Sequence, residues 1–264
     1  MTEYIDIGVN LTGSSFSHDL PDVIERARAA NVQRMIVTGT DIHHSTLANT
    51  LCLEHPGILY ATAGVHPHHA SDFNAASVDA LRQLAGNAQV VAIGECGLDY
   101  NRNYSTPLAQ RHAFEAQLQL ACELKLPVFL HQRDAHADFV AMLDTCRHEL
   151  VAGVAHCFTE NEDIAQEYVE MGLHLGITGW ICDERRGADL RRAVKSIPLD
   201  RLMLETDAPY LLPRDLKVLP RDKRRNEPCY LPHIAEVTAR CMQIEPQTLA
   251  QAALINTEKF FGLK

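Results

Sequence analysis

Eight short runs rich in Val, Ile and Leu recur along the chain, separated by longer stretches whose apolar residues fall at helical spacing. The runs are YIDIGVN, RMIVTGT, LYATAGVHP, VVAIGECGLDY, PVFLHQRDA, AGVAHCF, HLGITGW and LMLETDAPY. Between them, DVIERARAANV, TPLAQRHAFEAQLQLACELKL, HADFVAMLDTCRHEL and NEDIAQEYVEMG carry amphipathic helical patterns. Ser77 before Val78, Thr106 before Pro107, and Asn161 followed by Glu162 and Asp163 are residues that cap and open helices. Eight strand-then-helix units predict an α/β fold, a (β/α)8 TIM barrel, because parallel strands need helical crossovers and eight close a sheet. A doubly wound open sheet is the alternative; no Gly-x-Gly-x-x-Gly turn follows the first run, as a dinucleotide fold would require. No low-complexity linker interrupts residues 1–264, which are read as one domain.

Composition narrows the picture. An apolar fraction of 46% is ample for a core, and a formal charge of −10 disfavours a protein that coats duplex nucleic acid, while leaving room for a local basic patch. The eight Cys are scattered with no Cys-x-x-Cys pair, which fits reduced thiols. The N-terminus lacks a signal-peptide pattern and no apolar run approaches the roughly 20 residues that span a bilayer. A soluble, cytoplasmic protein is expected.

Ligand-type residues fall at the ends of four runs: Glu95 closes VVAIGE, His131 closes PVFLH, His156 closes AGVAH and Asp207 closes LMLETD, while a fifth polar group, His66, ends ATAGVH. Barrel enzymes gather catalytic groups at the carboxyl ends of strands. A single His after an apolar run is ordinarily a core or loop residue, but four strand ends occupied in register point to a divalent cation with open positions for water and substrate. The mixture admits a transition metal through its imidazoles, or Mg²⁺ through carboxylates and phosphate oxygens. Glu205 and Asp207 stand two apart, which predicts side chains on one face, one binding metal and the other taking a proton. Arg133 either forks onto a phosphate or pairs with Asp134.

A Pro-rich basic stretch, LLPRDLKVLPRDKRRNEPCYLPH, follows the last run and offers Arg214, Lys217, Arg221, Lys223, Arg224 and Arg225. It reads equally as a solvated face or as a rim for a single strand, joined by Arg185, Arg186 and Trp180; Trp180 either packs or stacks on a base. The remaining histidines, His233 among them, read as surface residues, with His68 and His69 open because they lie close to His66. Closing helices include Phe260 and Phe261, which are expected to pack on the outer ring.

GVHPH, AIGECGLDY, PVFLHQRDA, HCFT, ETDAPYL and RRNEP, in that order and ending in NTEKFFG, resemble the motifs of the TatD family of metal-dependent nucleases. The resemblance implies a metallohydrolase barrel with a divalent cofactor, usually Mg²⁺ with Mn²⁺ or Zn²⁺ as alternatives. It also implies removal of nucleotides from 3′ ends of single-stranded DNA or RNA, work that belongs with DNA repair, with no obligate protein partner, no membrane and a monomeric state. By position, Glu95, His131 and His156 match metal ligands and Asp207 matches the acid that binds metal or activates water. Glu205 and His66 match further active-site positions, and Arg133 and Asn226 lie in substrate-facing motifs. One departure matters: Gly8 and Asn10 stand where many members carry a His-x-His pair, so a second cation is expected to bind weakly or only alongside substrate. Gln132 stands where Cys is common. Two rivals remain: a barrel acting on esters or amides, such as a deacylase of aminoacyl-tRNA, and a non-catalytic binding barrel.

Overall fold

Each of the eight apolar runs forms a strand, and the amphipathic stretches between them form helices. The computed structural model describes residues 2–217 and 224–263; Arg221 and Lys223 of the basic stretch lie outside the described residues. In chain order the elements are β1 (Tyr4–Val9), α1 (Leu20–Ala29), β2 (Val32–Val37), α2 (Ile42–Glu54), β3 (Leu59–Ala63), α3 (Ala75–Ala85), β4 (Val90–Asp99), α4 (Pro107–Leu124), β5 (Val128–Arg133), α5 (His136–Asp144), β6 (Gly153–Ala155), α6 (Glu162–Glu170), β7 (His174–Ile177), α7 (Ala188–Ala193), β8 (Leu202–Leu204), α8 (Leu231–Met242) and α9 (Pro246–Phe261). The strands follow one another in the sheet as β1-β2-β3-β4-β5-β6-β7-β8, the order of a (β/α)8 fold.

The chain resolves into two compact units, residues 38–155 and residues 1–37 with 156–264. In the first, β3, β4, β5 and β6 pair in parallel, and β4 is buried along its whole length. Register between β4 and β5 shifts between Gly94 and Cys96, so Glu95 is the extra residue of a bulge, a device that re-aims a side chain. Two glycines permit this. Gly94 (φ +135°) and Gly97 (φ +144°) hold backbone conformations that L side chains rarely adopt, and a Cβ on either would overlap the carbonyl oxygen of Phe129 or His131 on β5. Helices cover this unit through contacts such as Phe114 of α4 stacked on Phe139 of α5, with centroids 5.7 Å apart and both rings fully buried.

In the second unit β1 pairs with β2 and β7 with β8, while Val9 bridges in parallel to Ala208 just past β8. Phe260 and Phe261 of α9 are buried, as expected for packing residues, and Phe260 meets the ring of His174 edge-on.

Thr106 and Asn161 cap α4 and α6, accepting from Ala109 N–H (3.2 Å) and Ile164 N–H (3.1 Å). At α3 the cap is Asn74, and Ser77 sits three residues inside, its hydroxyl oxygen accepting from Asn74 N–H (3.2 Å) in a capping box. Replacing Thr106 with Ala is expected to lower stability by about 1 kcal/mol, measured as a shift of the denaturation midpoint without change in its slope. Among the described residues no helix is long and apolar enough to cross a membrane.

Candidate active site

In unit 38–155 the bulge aims Glu95 toward two imidazoles. His131, on β5, places Nδ1 2.9 Å from Glu95 Oε1, and His66 places Nε2 3.3 Å from the same oxygen. Glu95 and His66 are buried and His131 is partly so. One donor atom from each of the three lies within 4.8 Å of the others, a set chemically fit for a divalent ion.

The three are not equivalent. His66 caps a short 3-10 helix, Pro67–Asp72, and its Nδ1 accepts from His68 N–H at 3.0 Å. Burial holds its pKa down at about 4 against the pull of Glu95, so the ring is neutral near pH 7 and its one proton sits on Nε2. His66 therefore donates to Glu95 in this arrangement.

Asp99, at the end of β4, was not among the expected site residues. Its Oδ2 lies 2.8 Å from His68 Nε2 and 3.4 Å from His131 Nε2, while Oδ1 accepts from Asn101 and Arg102 N–H (3.0 and 2.8 Å). Burial works to raise its pKa, but the hydrogen bonds from His131, Arg102 and His68 outweigh it and hold the carboxyl well below the usual range. A sequence signal existed: Glu95, Gly97 and Asp99 alternate along one run. His68 is thus a site neighbour, and the ring of Tyr104 meets it edge-on at 4.8 Å. Arg133 is exposed at the end of β5; Asp134 accepts instead from Asn101 Nδ2 at 2.6 Å.

The other unit holds a second carboxylate–imidazole pair. β6 ends at Ala155 and β8 at Leu204, so His156, Glu205 and Asp207 follow the strands rather than belong to them. His156 Nδ1 lies 3.1 Å from Glu205 Oε2, both buried, and Glu205 Oε1 accepts from Cys157 N–H. Gly176 of β7 makes room, since a Cβ there would overlap that carboxylate. Asp207 takes φ +55°, a left-handed conformation rather than the extended one of a strand. The two carboxylates consequently have different surroundings: Glu205 is enclosed, whereas Asp207 is half-buried and accepts from Asn10 Nδ2 at 3.0 Å.

Asn10, at the departure from the His-x-His pattern, thus holds a carboxylate. An Asn10→Ala variant is expected to lose about tenfold to 100-fold in turnover with little change in melting temperature, read from single-strand cleavage rates. On the same strand Asp6 is fully buried and accepts from Thr206 and Gly8 N–H (2.9 and 3.2 Å) and from the Thr206 hydroxyl. Burial pushes its pKa up to about 8 against those donors.

The basic stretch divides. Arg225 is spent inside the protein: it forks onto Asp19 (2.8 and 2.7 Å) and reaches Glu227 at 2.8 Å. Asn226 is fully buried, with Nδ2 bonded to Thr206 O (2.9 Å) and Oδ1 accepting from Glu227 N–H (2.9 Å), so it fastens this segment to the end of β8. Its position gives no open face to a substrate. Arg214 is exposed and pairs with Asp183 at 3.2 Å; Arg186 pairs with the same carboxylate at 2.8 Å and lies over the Trp180 ring, 4.1 Å from its centroid. One face of Trp180 is therefore already covered by a guanidinium. Trp180, Arg186, Pro213, Arg214 and Arg224 line a cavity of about 530 Å³. A larger one, about 1000 Å³, is lined by α4 and α5 residues such as Arg111 and Met142 and contains none of the strand-end groups.

Strand-end carboxylate–imidazole pairs on a (β/α)8 fold define the metallohydrolase type of protein. The TatD related DNase family matches residues 5–262, and the chain belongs to that family. It is 55% identical over 256 residues to a 3′-5′ ssDNA/RNA exonuclease TatD of Cronobacter sakazakii, covering 97% of each chain. It is 52% identical to the protein of the same name from Salmonella typhimurium, covering 97% and 98%. Among solved structures, a TatD homologue from Escherichia coli superposes with a TM-score of 0.89 at 28% identity, over 99% and 98% of the two chains. A TatD family hydrolase from Entamoeba histolytica gives 0.89 at 25%, over 100% and 99%.

Proposed function

We propose that this protein is a metal-dependent hydrolase that removes nucleotides from the 3′ ends of single-stranded DNA and RNA, as a monomer, with Mg²⁺ as the working cation. The observation that carries the reading is the pair of buried carboxylate–imidazole contacts, Glu95 with His131 and Glu205 with His156, each following an apolar run at its carboxyl end. The names of relatives about half identical to the chain support the same reaction.

By the family resemblance, Glu95 and His131 in one unit, and His156 and Asp207 in the other, would serve as ligands of the cation. When bound, it supplies positive charge that polarises a phosphodiester and acidifies water. The remaining work falls to the chain. Glu205 fixes the tautomer of His156 by accepting at Nδ1, and Glu95 does the same for His131, which leaves Nε2 of each ring as the ligand atom. Glu205 is enclosed and already accepts twice, so Asp207, the more open carboxylate, takes the proton from water. His66 keeps its proton on Nε2 and steadies Glu95, and Arg133, exposed at the end of β5, is the cation that can meet phosphate oxygens. Asn226 positions the segment after β8.

The test is incubation of the purified chain with 3′-labelled and 5′-labelled single strands, with Mg²⁺ and with EDTA. Progressive shortening from the 3′ end that stops with EDTA is the expected result. Intact strands with turnover of esters or of aminoacyl-tRNA would transfer the site to the deacylase reading, and binding with no hydrolysis of either would leave a non-catalytic barrel.

A further inference from the structure

Away from these groups, three side chains from distant parts of the sequence converge beside the segment that follows β8. Cys182 ends the 3-10 helix Gly179–Cys182, Asp215 lies in the loop after β8, and His233 sits in the first turn of α8. Their donor atoms, Sγ, a carboxylate oxygen and a ring nitrogen, lie within 4.8 Å of one another. His233 Nε2 is 2.7 Å from Asp215 Oδ1, and the two side chains are 26% and 28% exposed, whereas Cys182 is buried.

We propose that Cys182, Asp215 and His233 form a zinc site that staples the loop after β8 to the 3-10 helix and to α8. The donor set is the first argument. Thiolate, imidazole and carboxylate together suit Zn²⁺ and not Mg²⁺, which takes oxygen ligands; three protein ligands leave a fourth tetrahedral position for water through the exposed side of the cluster. Spacing is the second. Ligands of tetrahedral zinc stand about 3.5 Å apart, so the cluster needs only a small contraction, and the 2.7 Å contact between His233 and Asp215 opens as the ion enters.

Rigidity is the third argument. Arg191 holds the backbone on both sides of Cys182, donating from Nη1 to Ile181 O (2.9 Å) and Asp183 O (3.0 Å). Gly179 packs so closely on Leu211 that a Cβ would overlap its carbonyl oxygen, and Asp183 draws in Arg214, the neighbour of Asp215. A thiol fixed in this way meets its partners without a search, so less ordering entropy opposes binding. Burial and the nearby Asp215 push the Cys182 thiol above its usual range, so in the absence of metal it remains a thiol. Zinc entry releases its proton to water as the Zn–S bond forms.

The proposal does not depend on the hydrolytic reading, and the test keeps them apart. The full chain, stripped of metal under reducing conditions, is titrated with Co²⁺ in excess Mg²⁺, then with Zn²⁺. Wild type and His131→Ala are expected to show a thiolate-to-cobalt charge-transfer band, to retain one zinc that Cys182→Ser does not, and to gain thermal stability with zinc. Cys182→Ser should lose the band and the gain. His233→Gln, altered at a part-exposed position that does not threaten folding, should weaken zinc by more than about 100-fold, beyond the 10-fold to 100-fold that losing an outer partner costs. A wild-type chain without the band, or a band that survives in Cys182→Ser or disappears in His131→Ala, overturns the proposal.

Discussion

Replacing Glu95 with Gln is expected to lower exonuclease turnover by more than about 100-fold, a larger loss than removal of an outer partner causes. The far-ultraviolet spectrum should remain that of the wild type. Glu95 is buried, and its Oε1 meets both His131 Nδ1 at 2.9 Å and His66 Nε2 at 3.3 Å. Gln has the same shape and one of the two acceptor oxygens, so packing survives; it has no charge, so the attraction for a cation is lost. Raising Mg²⁺ separates the effects: activity that recovers at high Mg²⁺ means weakened binding, and activity that stays low means a lost chemical role. Asp207→Asn should fall comparably, and an Asp207→Asn chain with wild-type turnover would remove Asp207 from the reaction.

Replacing Gly97 with Ala is expected to be the most damaging single-methyl change in the chain. At φ +144° an L residue is strained, and the added Cβ would collide with the carbonyl oxygen of His131, which is backbone and has nowhere to go. Strained φ together with overpacking of paired strands is expected to cost more than about 3 kcal/mol, read from denaturant midpoints. Whatever folds should also have lost turnover, because the strand pushed away carries His131. A Gly57→Ala control, at φ +78° with no atom within 4 Å of the new methyl, should cost far less.

The strands were legible because each is an apolar run bounded by polar turns, and burial of those runs is what the fold uses. The ends of the strands were less so. β6 and β8 are only three residues long, and hydrophobic alternation carries no mark of where hydrogen bonding stops. The spacing of Glu205 and Asp207 was less readable too: the rule of two holds in extended backbone, and Asp207 is left-handed. Asp99 alternates with Glu95, but β4 runs four residues past Glu95, farther than its apolar run VVAI suggests, and only the fold shows that Asp99 ends the strand beside His131. Ser77 reads as a cap but is the inner half of a capping box whose outer half is Asn74. The partners of His233 and Arg225 could not be read at all; Cys182, Asp215 and Asp19 reach them only through tertiary folding.

The fork between Arg225 and Asp19 gives the segment after β8 a different failure mode from the strands. Arg225 hydrogen-bonding, joined by Arg26, brings the Asp19 pKa down to about 2, below its ordinary value near 4. The stabilisation from this contact is therefore complete above about pH 4 and disappears as the pH falls through about 2. Arg26 also reaches Glu227 at 2.7 Å, so the same group of charges ties α1 to residues 225–227. Because Asn226 stands between the two tied residues, acid should undo the chain in order, with protection of the Asn226 amide against hydrogen exchange failing before that of the β4 and β5 amides.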